Sequence, residues 1–134
     1  MNAGRRLLRL IGLVGVLGLV TAALAVAGVS WGSAIEVPGI ASLGVDSTVS
    51  ALSCASPGNC AADGFYADAS NNYQAFVVGE NNGVWGSAIE LPGIAALNPL
   101  GESVVVNSIS CVSTGPCVAG GSYQNPQQAF ITSP

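Results

Sequence analysis

Beyond position 27, the residues whose types could do chemistry are four cysteines, seven carboxylates and two tryptophans. The cysteines form two equally spaced pairs, Cys54/Cys60 and Cys111/Cys117. Four cysteines allow three connectivities. Each pair sits at the same place in a repeated segment, so one bridge inside each copy is expected, closing a short turn. So short a loop contributes roughly 2 kcal/mol through the unfolded chain's lost entropy. A metal held by all four thiolates would require the two copies to converge, and no metal site is expected. The carboxylates are Glu36, Asp46, Asp63, Asp68, Glu80, Glu90 and Glu102. Two carboxyls flanking a glycosidic bond can hydrolyse it. Glu36 and Glu90 occupy equivalent repeat positions, however, so each is expected to serve its own copy. Most of the acids are expected to be solvated strand or turn residues. Trp31 and Trp85 are equivalent too. An indole face can stack on a sugar ring, and it can also anchor a core through its large area. Trp31, Trp85, Glu36 and Glu90 are therefore the candidate ligand-binding residues.

The missing residue types exclude more than the present ones indicate. The three basic residues are Arg5, Arg6 and Arg9, and the chain has no histidine. Every charge beyond Arg9 is thus negative. Phosphate neutralisation needs cations, so no nucleic-acid partner is expected. A serine or cysteine nucleophile would lack its histidine base. Schiff-base chemistry would lack a lysine. Arginine gripping of a carboxylate substrate is impossible beyond Arg9. No cofactor is expected.

The three arginines precede an uncharged, largely apolar run from Leu10 to Val29. A charged n-region, an apolar h-region and the small residues Ala25-Val26-Ala27 define a signal peptide over residues 1–27, with cleavage after Ala27. An uncleaved anchor is the alternative, because the run reaches the roughly 20 residues that cross a bilayer. Both readings place residues 28–134 outside the cytoplasm, secreted or at the cell surface, since the arginines stay inside. The membrane is a partner only if the segment is uncleaved.

The elements that must position these side chains repeat. Trp31-Gly32-Ser33-Ala34-Ile35-Glu36-Val37-Pro38-Gly39-Ile40-Ala41-Ser42-Leu43 recurs from Trp85 to Leu97, with Leu91 for Val37 and Ala96 for Ser42. Ser50-Ala51-Leu52-Ser53-Cys54 corresponds to Asn107-Ser108-Ile109-Ser110-Cys111, and Gln74-Ala75-Phe76 to Gln128-Ala129-Phe130. The domain 28–134 thus holds two copies, 31–84 and 85–134. Each copy reads as four short strands. Strand a covers 48–54 and 103–111, b covers 60–66 and 117–123, and c covers 73–79 and 127–132. Strand d covers 84–91, with Trp31–Val37 as its earlier twin. Asn82-Gly83 predicts a two-residue hairpin turn, where both positions need φ > 0. Asp68 to Asn72 predicts a turn held by Asx hydrogen bonds. No helical periodicity follows the N-terminal segment.

The pattern Ser-Cys-x-Ser-x-Gly-x-Cys-x-Ala-x-Gly-x-Tyr occurs as Ser53 to Tyr66 and as Ser110 to Tyr123. Gln-Ala-Phe follows each, and Gly83-Val84-Trp85-Gly86-Ser87-Ala88 completes the unit. Together these motifs resemble the repeats of secreted actinobacterial proteins of β-propeller type. The resemblance spans nearly all of residues 28–134, with Val29 where the earlier twin of Gly83 should be. It implies a secreted β-repeat and brings no catalytic residues.

The expected fold is all-β: two tandem four-stranded blade-like repeats, a partial or oligomeric β-propeller, after an N-terminal signal helix. A small β-sandwich is the alternative. Two blades cannot close a ring, which takes about four to eight. The strand order d-abc-d-abc is the one that ring closure by strand exchange would leave. Self-association through unpaired strand edges, or membership of a longer repeat protein, is therefore expected. In function the chain reads as a non-enzymatic scaffold or binding module for a glycan or protein ligand. A carboxylate-only glycoside hydrolase is the alternative.

Overall fold

The computed structural model describes residues 28, 30–113, 116–124 and 126–132. The expected signal segment and its cleavage point lie outside these residues. The chain divides into two units, Met1–Ser33 and Ala34–Pro134. In the first, the described residues carry no helix or strand, and Trp31 is exposed.

The second unit is all-β, built of two antiparallel sheets. One contains β1 (Val45–Ser56), β2 (Asn59–Ala67), β3 (Tyr73–Asn81), β4 (Val84–Trp85) and β5 (Ile89–Glu90). Its order is β1-β2-β3-β4, and β5 also pairs with β3. The other contains β6 (Val104–Cys111), β7 (Cys117–Tyr123) and β8 (Gln128–Thr132), ordered β6-β7-β8. Both meander, as short turn-rich connections between antiparallel strands require. The expected strands a, b and c therefore form in both copies. Asn82 and Gly83 take φ of 51° and 80°, the geometry that a tight β3–β4 hairpin demands.

Equivalent features recur in the two sheets. A register shift falls between Val49 and Ala51 in β1, and between the matching Val106 and Ser108 in β6. Disulfides join Cys54 to Cys60 and Cys111 to Cys117, each across a directly paired position of its hairpin. Phe76 lies opposite Gly64, and Phe130 opposite Gly121.

Strand d departs from expectation in both copies. Residues 84–91 break into β4 and β5, and Trp31–Val37 forms no strand. The difference is one of available edges. Ile89 and Glu90 find a ladder on β3, opposite Val77 and Phe76. Among the described residues, Ile35 and Glu36 pair with no such edge. The sequence also hid two short helical turns, a 3₁₀ turn at Ile40–Ser42 and α1 at Ile94–Leu97. Each follows a Pro-Gly whose glycine is left-handed, with φ of 78° at Gly39 and 83° at Gly93. That glycine turns the chain and drops Ile40 or Ile94 into a core. A single turn is too short for helical periodicity to register.

Two cores result, on opposite faces of β3. Phe76 and Val78 point to one, with Ile40, Ala62, Tyr66 and Ala88, while Val37, Leu43 and Trp85 pack at its margin. Ala75 points to the other, with Leu91, Ile94, Val104, Val106, Ala119 and Phe130. Alternate β3 side chains thus bury on both sides, as in a strand covered on both faces. The second sheet lies against the first through β6, and the Cys111 amide donates to Ser53 Oγ between them at 3.0 Å.

Candidate functional site

A polar cleft of about 240 Å³ opens where the end of the first sheet meets the segment leading to β6. Tyr66 and Gln74, a directly opposed pair on β2 and β3, form one wall. Glu90, at the end of β5, stands beside them, and Asn98 follows α1 on the other side. Asp68 comes from the β2–β3 turn. The fold supplies all five because β5 lies on β3 and the following turn doubles back over the sheet.

The hydrogen bonds of this cleft are specific. The amides of Ser70 and Asn72 both donate to Asp68 Oδ1, at 2.8 and 3.0 Å, which is the expected Asx turn. Gln74 Nε2 donates to Asp68 Oδ2 at 3.0 Å and to the Gly101 carbonyl at 3.1 Å. Asn98 spans its own turn, donating from Nδ2 to the Glu102 carbonyl and accepting the Glu102 amide at Oδ1. The Asn72 amide, with smaller help from Ser70 and Gln74, holds the Asp68 carboxyl below its ordinary range against some desolvation. Burial pushes the Tyr66 phenol up, and the negative charges of Glu90 and then Asp68 push it further. Tyr66 therefore stays a neutral hydroxyl, able to donate and accept. The cleft combines that hydroxyl with amides and acceptor carboxylates, and no cation lines it.

Within Ala34–Pro134, the sequence candidates Glu36, Trp85 and Glu90 do not share one cleft. Glu90 lines the polar cleft. Trp85 lies elsewhere, half-buried, in a separate apolar cleft of about 170 Å³ with Ile35, Val37, Pro38, Val49 and Leu52. Glu36 and Trp31 are exposed. From the sequence, Tyr66 is weighed like the tryptophans as a sugar platform or a core anchor, whereas Gln74 is not singled out as a site residue. Their signal was present, since Tyr123 and Gln128 repeat the pair and its phenol lies 3.0 Å from Gln128 Oε1.

Asp63 is the exception among acids that are otherwise exposed or half-buried, as expected for most of them. It is buried on β2 between Ala51 and Val77, and both carboxyl oxygens lack a hydrogen-bond partner. Desolvation raises its pKa, and the nearby Ala51 amide offsets this only in part. Its repeat twin is Gly120, which carries no side chain. Repeat alignment marks Asp63 as unmatched, but burial depends on β6 covering that face. A carboxyl whose folded pKa is raised favours the folded state most below the ordinary carboxylate range. That contribution is lost as pH rises through the raised value. Asp63→Asn removes the ionisation. In melts at two pH values, Asp63→Asn should exceed the parent in Tm at pH 7, and the gap should shrink near pH 4. An equal gap at both would refute a buried ionisable carboxyl.

With the fold and the cleft defined, no family model matches this chain, and neither a curated protein nor a solved structure matches it.

Proposed function

We propose that the chain is an exported, non-enzymatic β-repeat module, its two sheets being successive blades. We further propose that the cleft at Tyr66, Gln74, Glu90 and Asn98 takes a neutral, hydroxyl-rich ligand of the glycan class. The cleft carries this reading: it offers hydroxyl, amide and carboxylate groups without a cation. Such a set matches alternating donors and acceptors on a sugar and repels anions. Two disulfides agree with an oxidising compartment outside the cytoplasm. The blade reading draws support from β3, which is buried on both faces. A two-sheet sandwich would leave each sheet one solvated face.

Two carboxylates support the non-enzymatic part. Glycoside hydrolysis needs a general acid that keeps its proton at working pH. Asp68 is held ionised, and both its oxygens are engaged. Asp63 has the raised pKa but is sealed from the cleft. Screening the exported chain on a glycan array should find a neutral glycan that it binds. Glu90→Ala and Tyr66→Phe should each weaken that binding about tenfold or more, the scale of one lost buried hydrogen bond to a charged or oriented group. An array with no binder would sink the ligand class. Turnover of chromogenic glycosides that Glu90→Gln abolishes would sink the non-enzymatic reading.

A further inference from the structure

The interface between the two sheets is a template for a second interface, for which each end of the unit carries one half. Inside the chain, the back of the first sheet meets the front of the second. The back contributes Ala75 and Val77, and the front contributes Val104, Val106, Ile109, Ala119 and Phe130. The same surfaces recur without a cover. On the back of the second sheet, Ala129 and Ile131 are the twins of Ala75 and Val77. Ala75 is fully buried, whereas Ala129 is exposed and Ile131 is 80% exposed. On the front of the first sheet, Val49 and Leu52 are the twins of Val106 and Ile109. Val106 is 1% exposed, whereas Val49 is 45% and Leu52 58% exposed. No charged residue lines the apolar cleft at that front.

The backbone repeats the complementarity. Ile89 and Glu90 lengthen the first sheet by pairing with Val77 and Phe76, and the Leu91 amide donates to the Ala75 carbonyl at 2.9 Å. Their twins Ile35 and Glu36 are exposed and form no strand. The matching acceptor edge is β8 at Ile131 and Phe130, which pairs only with β7 among the described residues. Even the hydrogen bond between sheets has its halves. Ser53 Oγ accepts from the Cys111 amide, and their twins Ser110 and Cys54 are both exposed.

We propose that a second copy of this chain covers these surfaces, head to tail. Ile35–Glu36 of one copy adds to the β8 edge of the next, with Ile35 opposite Ile131 and Glu36 opposite Phe130. The Val37 amide then reaches the Ala129 carbonyl, and Val49 and Leu52 cover Ala129 and Ile131. The contact is heterologous, so it closes into a ring if the rotation permits. Two to four copies would supply the roughly four to eight sheets that rings use. Association also builds a second polar cleft, because Glu36 arrives beside Tyr123 and Gln128 as Glu90 stands beside Tyr66 and Gln74. This placement gives Glu36 a ligand-binding role only in the assembly. It rests on the two sheets being successive units of one repeat.

The test is native mass measurement of the chain, expressed as residues 1–134 and recovered from outside the cytoplasm. The parent should be an oligomer of two to four copies at micromolar concentration. Ile131→Lys disables the tail, and the double change Ile35→Lys with Leu52→Lys disables the head. All three positions are exposed in the single chain, so unchanged circular dichroism and a cooperative thermal melt should accompany each variant, with the melt lowered only by the lost association. Each variant alone should be monomeric. An equimolar mixture should form a one-to-one pair, since the intact head of one fits the intact tail of the other. A monomeric parent would overturn the proposal. So would variants that keep the parent's mass, or a mixture that stays monomeric. Glycan binding by a monomeric parent would leave the cleft reading standing while removing this one.

Discussion

Phe76→Ala is expected to lower stability by about 3–5 kcal/mol, the usual cost of deleting a buried phenyl ring and leaving its cavity. Phe76 has no exposed surface, and its neighbours Ala62, Tyr66 and Val78 sit on strand ladders, with Ile40 on its 3₁₀ turn, so they cannot collapse far into the gap. A domain of this size has roughly 5–15 kcal/mol in all. The variant should therefore unfold at a much lower urea concentration with an unchanged slope. The twin change Phe130→Ala should cost a comparable amount, since Phe130 closes the other core. A loss below about 1 kcal/mol for Phe76→Ala, outside the expected cavity range, would show that this core is not packed as described.

Gly64→Ala should be equally disruptive, for a different reason. A Cβ at Gly64 would run into the Thr48 carbonyl oxygen, and one at Gly121 would run into that of Val105. Backbone cannot yield there without breaking the ladder to β1 or β6, beside the bulges at Val49 and Val106. The cost belongs at or above the top of the overpacking range, about 3 kcal/mol. Each glycine also lies beneath an aromatic ring, Phe76 over Gly64 and Phe130 over Gly121. An aromatic side chain that covers a strand glycine restores the packing the glycine omits. Trimming the ring will not rescue Gly64→Ala, because the carbonyl clash remains. Gly120 is the control. A Cβ there meets nothing closer than the Phe130 carbonyl oxygen at 3.6 Å, and its φ is not left-handed. Gly120→Ala should leave stability unchanged, or raise it by up to about 1 kcal/mol through the unfolded chain. Denaturation curves for Gly120→Ala and Gly121→Ala side by side would decide the matter. Equal losses at the two adjacent positions would refute the close approach at Gly121.

These glycines show how functional and structural constraints share one repeat. The Gly-x-Tyr of each copy places a glycine under a phenylalanine and a tyrosine opposite a glutamine. The first pairing closes a core, and the second forms a wall of the polar cleft. Both follow from strand alternation around one register, so a slip of one residue would destroy both.

The legible features of the sequence were those set by short-range chemistry. Asn82-Gly83 had to form its turn, because the two positive φ values are local demands. Asp68 had to bond its own turn, for its carboxylate reaches backbone amides two and four residues on. The cysteine pairs had to bridge within each copy once strands a and b paired. What only the tertiary structure decided were matters of covering. Ile89–Glu90 becomes a strand and Ile35–Glu36 does not, though their sequences are identical, because β3 offers an edge to one of them. Asp63 is buried because β6 crosses its face, and no residue near it in sequence announces that. Val49 and Val106 are twins with opposite exposure for the same reason. Local rules act over a few residues, whereas burial depends on which surfaces meet. Of the seven carboxylates and two tryptophans that first suggested chemistry, tertiary packing set Glu90 and Asp68 at a cleft, sealed Asp63 and gave Trp85 to an apolar margin.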